Sequence, residues 1–466
     1  NFSILRKAPK DFGGQLFGEA VGPISIIFYQ KEKPKTISDT LVYYAPKTYV
    51  KSNVLDGLSI DFTDVKYLPR EECEKPNTKI WKIAMWGGIN DWMLINNISK
   101  NFTESIGDYL HKNNNRYSFG SGLHAPSTEQ LDKKQVFLPD KVLDISQIQR
   151  YYTLESASNP SDKIYRNINK NIFIPPYIII KEGQKDKEFC ASYIDYKSYH
   201  AAYSISSMGK DDFNLKLWCS LINSTFAKYY LSLTSASWGI ERERVQSNET
   251  LTLPMVKDIQ EEIKLKLTSA FDELITVIRS DFDYVKSKQI ENRIDDIIIN
   301  EVLQLSEIEK TIMFDSIQFS INLFEEKEKS KALWAVSKNQ ITDYAEIIST
   351  ELNKFLEGQK IFVNATVYNI NRFNPLMMIK LSHEKQKKDI LISDEDVNEE
   401  LKKIDTSLWE KKTTNIFFRK KLNYSIGNDV YYIIRPNQRR FWSKSMALED
   451  APELINEILT GVHDGN

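Results

Sequence analysis

The sequence predicts a mixed α/β (α+β) protein of several domains, and three observations predict it. The chain has 466 residues, too many for a single hydrophobic core and enough for two to four domains. Hydrophobic residues make up 41% and aromatic ones 12%, sufficient for folded cores. Short apolar runs separated by Gly, Asn, Pro and Asp fill residues 101–257, whereas residues 258–334 hold a helical period with no glycine or proline. The expected organisation is a short opening segment (1–32), a connector (33–100), a strand-rich domain (101–257), a helical spacer (258–334) and a C-terminal α/β domain (335–466).

Residues 24–29 follow a Gly22-Pro23 turn and read as a strand, and Lys31-Glu32-Lys33-Pro34-Lys35 as a solvated break. Three tryptophans and the Gly87-Gly88 pair in residues 80–92 suggest a strand turning into a helix at 91–98, with Asp91 near its N-cap. This cluster reads as a packing hub. Strands are expected at 136–139, 173–181, 188–193 and 201–206. Trp218, Leu221, Ile222, Phe226, Tyr229 and Tyr230 then recur at three- and four-residue steps, the mark of a helical face buried on a sheet. Ile259, Ile263, Leu267, Phe271, Leu274 and Ile278 keep the same period through the spacer, and Ser306 with Glu309 reads as a capping box. The last domain opens with a helix and passes to strands at 361–368, 376–381 and 430–434.

Lys+Arg 62 against Asp+Glu 64 gives a net charge of -2, so overall charge neither predicts nor excludes a nucleic-acid partner. No apolar run is long enough for a membrane helix and no secretory leader is visible, which points to the cytoplasm and to no membrane partner. Cys73, Cys190 and Cys219 lack metal or disulfide spacing, and the five histidines are scattered, so no metal site is expected.

Local chemistry is more specific. Residues 234–239 offer the hydroxyls of Ser235 and Ser237, the indole of Trp238 and the flexible Gly239, just before Arg242 and Arg244. These residue types contact phosphates and base edges. Lys181 closes an apolar run after Pro175-Pro176. Lys411, Lys412, Arg419, Lys420, Lys421, Arg435, Arg439, Arg440 and Lys444 form the concentrated positive segment, interleaved with aromatics such as Tyr432, Phe441 and Trp442, a composition suited to tracking a nucleic-acid backbone. Residues 113–116 and Lys133-Lys134 are further candidate DNA-facing loops.

The run Leu221-Ile222-Asn223-Ser224, then Trp238-Gly239, then Leu251-Thr252-Leu253-Pro254, resembles the target-recognition region of adenine-specific N6 DNA methyltransferases from restriction-modification systems. Ile174-Pro175-Pro176-Tyr177-Ile178-Ile179-Ile180-Lys181 resembles the strand entering that region, and residues 16–29 resemble the last strands of the catalytic domain. Trp86-Gly87 with Asp91 is similar to the pattern between the two domains, and residues 432–442 with 447–451 to a C-terminal module of some members. The resemblance implies a sequence-specific reader of double-stranded DNA. Its implied contacts are Lys181, Ser235, Ser237, Trp238, Arg242 and Arg244, with Arg435, Arg439, Arg440 and Lys444 on the phosphate backbone.

The catalytic motifs of such enzymes are not matched. Phe119-Gly120-Ser121-Gly122 follows a polar stretch unlike a buried parallel strand, and Ile174 stands where an amine-gripping Asn or Asp is needed and accepts no hydrogen bond. The expectation is therefore no cofactor or catalytic residue in this chain, with S-adenosylmethionine serving a parent enzyme. Because residues 1–32 resemble the tail of a catalytic domain whose cofactor and amine-binding motifs would precede them, and residue 1 is Asn rather than Met, the chain is expected to be the C-terminal portion of a larger protein. Its partners would be an N-terminal methyltransferase domain or subunit and a nuclease domain or subunit. The alternative is a protein-interaction scaffold that docks a catalytic or nuclease subunit without touching DNA.

Overall fold

A computed structural model describes residues 2–4, 24–29, 31, 39–47, 60–124, 136–137, 139, 141–156, 165–166, 168–185, 187–240, 244–280, 283–369, 374–410, 422–426 and 430–460. The architecture is mixed α/β, as the sequence predicts, and it falls into two compact units. One combines residues 1–94 with 310–466; the other is 95–309.

The N-terminal stretch of the first unit forms a small sheet of β1 (Phe2–Ile4), β2 (Ile24–Ile26), β3 (Thr40–Tyr44) and β4 (Val65–Pro69) in the order β2-β1-β3-β4. Residues 80–86, read from sequence as a strand, are instead a helix, α1 (Ile80–Trp86). Ile80, Ile83 and Ala84 fall on one buried face at helical spacing, and the Thr78 hydroxyl accepts the Ile80 N–H at 3.3 Å. The helix that follows, α2 (Ile89–Asn101), carries Asp91 in its first turn as expected, and the Asp91 carboxylate accepts the Gly88 N–H at 2.7 Å.

The second unit is built on a five-stranded sheet of β5 (Ser118–Ser121), β6 (Tyr151–Tyr152), β7 (Tyr177–Lys185), β8 (Glu188–Ile194) and β9 (Tyr203–Ser206), ordered β5-β9-β7-β8-β6. All neighbours are antiparallel except β8 and β6. β7 begins directly after Pro175-Pro176, where the missing proline N–H groups forbid earlier ladder pairing. Its residues 177–180 are fully buried, as a central strand covered on both faces requires. The single helix expected from Trp218 to Tyr230 is two, α3 (Asp212–Ile222) and α4 (Thr225–Thr234), broken where Asn223 and Ser224 cap their ends, and Trp218, Phe226 and Tyr229 are buried. Part of the presumed spacer belongs here too. In α5 (Glu261–Arg279), Leu267, Phe271 and Leu274 face inward, and Phe271 packs edge-on to Tyr151 and Tyr193. The Ser306/Glu309 box is present, with the Ser306 N–H donating to Glu309 at 2.9 Å and the Glu309 N–H to the Ser306 hydroxyl at 3.3 Å.

The C-terminal stretch returns to the first unit. α6 (Lys338–Phe355) packs on a sheet of β10 (Phe362–Asn369), β11 (Leu376–Glu384), β12 (Leu391–Asp396), β13 (Leu422–Ile426) and β14 (Val430–Pro436), ordered β12-β10-β11-β14-β13. Ile341, Tyr344 and Ile348 from the helix meet Met377, Ile379 and Ile433 from the sheet. α7 (Lys444–Thr460) runs against α6 and buries Ala447, Ala451 and Leu454. Among the described residues no helix is long and apolar enough to cross a membrane.

Candidate nucleic-acid interface

The Leu-Asn-Ser turn is a mounting device. α3 ends at Ile222, and Asn223 turns its side chain onto the backbone of Ala191 in β8: Oδ1 accepts the Ala191 N–H at 3.0 Å and Nδ2 donates to the Ala191 carbonyl at 2.8 Å. An amide satisfies both groups because it presents the donor and acceptor of a missing strand neighbour. Ser224 then caps α4, its hydroxyl accepting the Ala227 N–H at 3.1 Å and donating to the Leu221 carbonyl at 2.6 Å. Each buried backbone group left unpaired costs about 1–3 kcal/mol. Asn223→Ala is therefore expected to lower stability by at least about 2 kcal/mol, measured by urea denaturation. A loss below about 0.5 kcal/mol, within the ordinary range for neutral surface changes, would show that the clamp is dispensable.

The loop after α4 is equally constrained. The Ser235 hydroxyl accepts the Trp238 N–H at 3.3 Å, and the Glu249 carboxylate accepts the Ala236 N–H at 2.6 Å and the Gln246 N–H at 2.8 Å. Gly239 sits at φ 68, in the left-handed region that disfavours a side chain. At its far end the loop joins β7: the Val245 N–H donates to the Glu182 carbonyl at 3.1 Å, and the Glu182 carboxylate holds both the Arg244 guanidinium and the Ser247 hydroxyl. The Leu-Pro exit docks on the short helix Ile106–Lys112, whose first N–H groups, at Ile106 and Gly107, donate to the carbonyls of Leu253 and Leu251, both at 2.9 Å. Helix-start donors lacking an intrahelical partner are thus satisfied by the motif's own backbone.

This geometry corrects part of the expected contact set. Trp238 is 0% exposed and Ser235 is buried, so both hold the loop from within rather than face a ligand. Their burial follows from the bond between them and from the size of the indole, which the core absorbs. Ser237 is half-buried and Arg244 exposed, bridged to Gly183 of β7, and Lys181 of the same strand is half-buried. Arg242 lies outside the described residues.

The C-terminal basic segment divides as well. Arg435 is 0% exposed and paired with the buried Asp450, and the Arg440 side chain, 9% exposed, donates to Asp61 at 2.8 Å. Both are structural cations rather than phosphate contacts, since buried charges persist only when paired. Arg439 is half-buried, with its guanidinium 5.5 Å from the Trp334 ring centre and Nε donating to the Ala335 carbonyl at 3.3 Å. Lys444 is exposed and 3.2 Å from Asp343. Lys411, Lys412, Arg419, Lys420 and Lys421 lie outside the described residues, as do residues 16–23 and Lys133-Lys134. In the 113–116 turn, Arg116 pairs with Asp211 at 2.9 Å.

The two imitations of catalytic motifs have other uses. Gly122 follows β5 so close to the chain leading into β9 that a Cβ would lie 2.0 Å from the His200 carbonyl oxygen, and Tyr177 is buried with its hydroxyl on Ser198. A cofactor turn joins a parallel strand to a helix, whereas β5 is antiparallel to β9, so these residues do not fit S-adenosylmethionine. Among the described residues no group of three or more His, Cys, Asp or Glu is placed to hold a metal. No family model matches the chain, and no curated protein matches it in sequence.

Proposed function

We propose that the protein is the DNA-recognition portion of an adenine-specific N6 methyltransferase of a restriction-modification system, acting in the cytoplasm on double-stranded DNA. The methyl transfer itself, with S-adenosylmethionine, belongs to a partner domain or subunit. The observation that carries the reading is the pair of loop segments 235–240 and 244–249, fixed by the Glu249 carboxylate, by pairing to β7 and by a buried indole, with Arg244 exposed and Ser237 half-buried. A rigidly mounted polar loop loses little entropy when it reads a groove, which favours specificity.

In this reading Arg244 contacts a base edge and Ser237 and Lys181 position the phosphates, while Arg439 and Lys444 supply the remaining backbone contacts. Arg244 is held by Glu182, so its fork is presented in one orientation. Arg244→Ala is expected to reduce discrimination at one base pair by about 1–3 kcal/mol, and Arg439→Ala to weaken all sequences alike and flatten the salt slope. Binding titrations on a panel of duplexes at several salt concentrations measure both. Equal loss on every duplex for the two variants overturns the assignment.

The scaffold alternative is favoured by a different observation. Val42 and Tyr67 face one another across β3 and β4 and are exposed, as are Ile27, Phe28 and Tyr29. Exposed apolar side chains of this kind suit a protein partner. Duplex binding that weakens steeply as salt rises decides for DNA; its complete absence at low salt decides for the docked subunit.

A further inference from the structure

The first unit contains a partly enclosed cavity of about 80 Å³, room for several water-sized groups. Met85, Trp86 and Phe319 give it an apolar wall, and Lys47, Lys66 and Arg440 face acids Asp91, Asp315 and Glu449 around the rest. The count of charges is even, but the count of open hydrogen-bonding positions is not. Asp91 accepts from the Gly88 N–H at 2.7 Å and the Ser316 hydroxyl at 2.5 Å, and Asp315 accepts the Ser445 N–H at 2.6 Å. Arg440 is occupied by Asp61.

The lysines are less engaged. Lys47, with a side chain 9% exposed, donates to the Ala45 carbonyl and stands 3.6 Å from Asp64 Oδ1, beyond hydrogen-bonding range. One of its three donors is used in this way, and the ammonium also lies 5.1 Å from the centre of the Trp86 ring. Lys66 is half-buried and makes no side-chain hydrogen bond or ion pair among the described residues. Burial, together with repulsion from Lys66 and Arg440, pulls the Lys47 ammonium down to about 8 despite the opposing pull of Asp64 and Asp61. Two cations thus share a confined space with donors to spare. One wall is also formed by a π-helical turn, Ser316–Ile321, a backbone geometry that recurs at functional sites and here brings Ser316, Phe319 and Ser320 to the cavity.

From this surplus of donors against an apolar wall, we infer that the cavity binds a small free oxyanion of the sulfate, phosphate or carboxylate class, held by Lys47 and Lys66. Glu449 closes the site from α7, packed so tightly on Gly88 that a Cβ there would lie 2.0 Å from its Oε1. Its carboxyl is raised to about 7 by burial and by Asp91 and Asp450, with Lys66 and the Asn90 N–H opposing. Protonated, it adds a donor to the anion; ionised, it repels it. Anion binding therefore takes up a proton and tightens as pH falls through 7.

Sulfate is the probe, because its charge is constant between about pH 6 and 8. Titration calorimetry on the full chain is expected to show saturable sulfate binding that is stronger at pH 6 than at pH 8. Lys66→Ala, at a half-buried site, should weaken it at least about tenfold, whereas Lys354→Ala, on the exposed face of α6, should leave it unchanged. Glu449→Gln should retain binding and lose the pH dependence between pH 6 and 7, leaving only the weakening toward pH 8 that loss of the Lys47 proton brings. Absence of saturable binding at pH 6, or equal affinity in Lys66→Ala and the parent chain, overturns the inference. So does displacement of sulfate by duplex DNA, which would make a backbone phosphate the ligand.

Discussion

Trp238→Ala should lower the stability of the second unit by about 3–5 kcal/mol, the range for removing a fully buried large aromatic, and, on the DNA-reading role proposed above, should abolish sequence discrimination along with it. The indole is 0% exposed and its backbone N–H is held by Ser235, so it fixes the turn between α4 and β7 at one point. Once it is gone, Ala236, Ser237 and Arg244 lose their common frame even in molecules that remain folded. Trp238→Phe should recover much of the stability, because a smaller ring still fills most of the site. Urea denaturation gives the first quantity, and titration of cognate against single-mismatch duplexes the second. A Trp238→Ala variant of unchanged stability with selectively weakened DNA binding would instead make the indole a direct DNA contact, the role that the sequence suggested.

That contrast locates what the sequence reveals and what it hides. Periodicity found α5 and the buried face that α3 and α4 share, because burial on one face acts over a few residues, but it read that face as one helix across Asn223-Ser224, and the strand expected at 173–181 begins only at Tyr177, after the prolines. The helix Ile80–Trp86 has a helical signal in the spacing of Ile80, Ile83 and Ala84, but the three tryptophans and the Gly87-Gly88 pair suggested a strand. Exposure within the 234–244 segment was not legible. Ser235 and Ser237 are identical in type, yet one is buried under the loop and the other lies near its surface, which depends on the turn geometry set by Gly239 and Glu249. The cavity was invisible for another reason: Lys47, Lys66, Gly88, Ser316 and Glu449 come from segments far apart in the chain, and only the fold assembles them.

Arg435 shows the same limit and carries the second large effect. Its position in a basic, aromatic-rich segment suggested a phosphate contact. The structure buries it completely, with the guanidinium donating to Asp450 and to the Phe441 carbonyl, and with the rings of Phe62, Tyr344 and Trp442 at 4.9, 5.8 and 5.9 Å. The Tyr344 hydroxyl donates to the other Asp450 oxygen at 2.6 Å. A signal was present in the partner: Ala447, Asp450, Ala451 and Leu454 form one stripe on α7, and an acid on a buried stripe requires a buried cation. Removing one member strands the other charge in the core, so Arg435→Met and Asp450→Asn should each cost about 3–5 kcal/mol. The pair Arg435→Met with Asp450→Leu should cost clearly less than the sum of the single changes, because no charge is then left unpaired. Thermal or urea unfolding of the four proteins measures that coupling. A phosphate-binding arginine would behave in the opposite way, with stability preserved and the salt slope of DNA binding reduced by about one, so Arg435→Met distinguishes a core ion pair from a DNA contact in one pair of measurements.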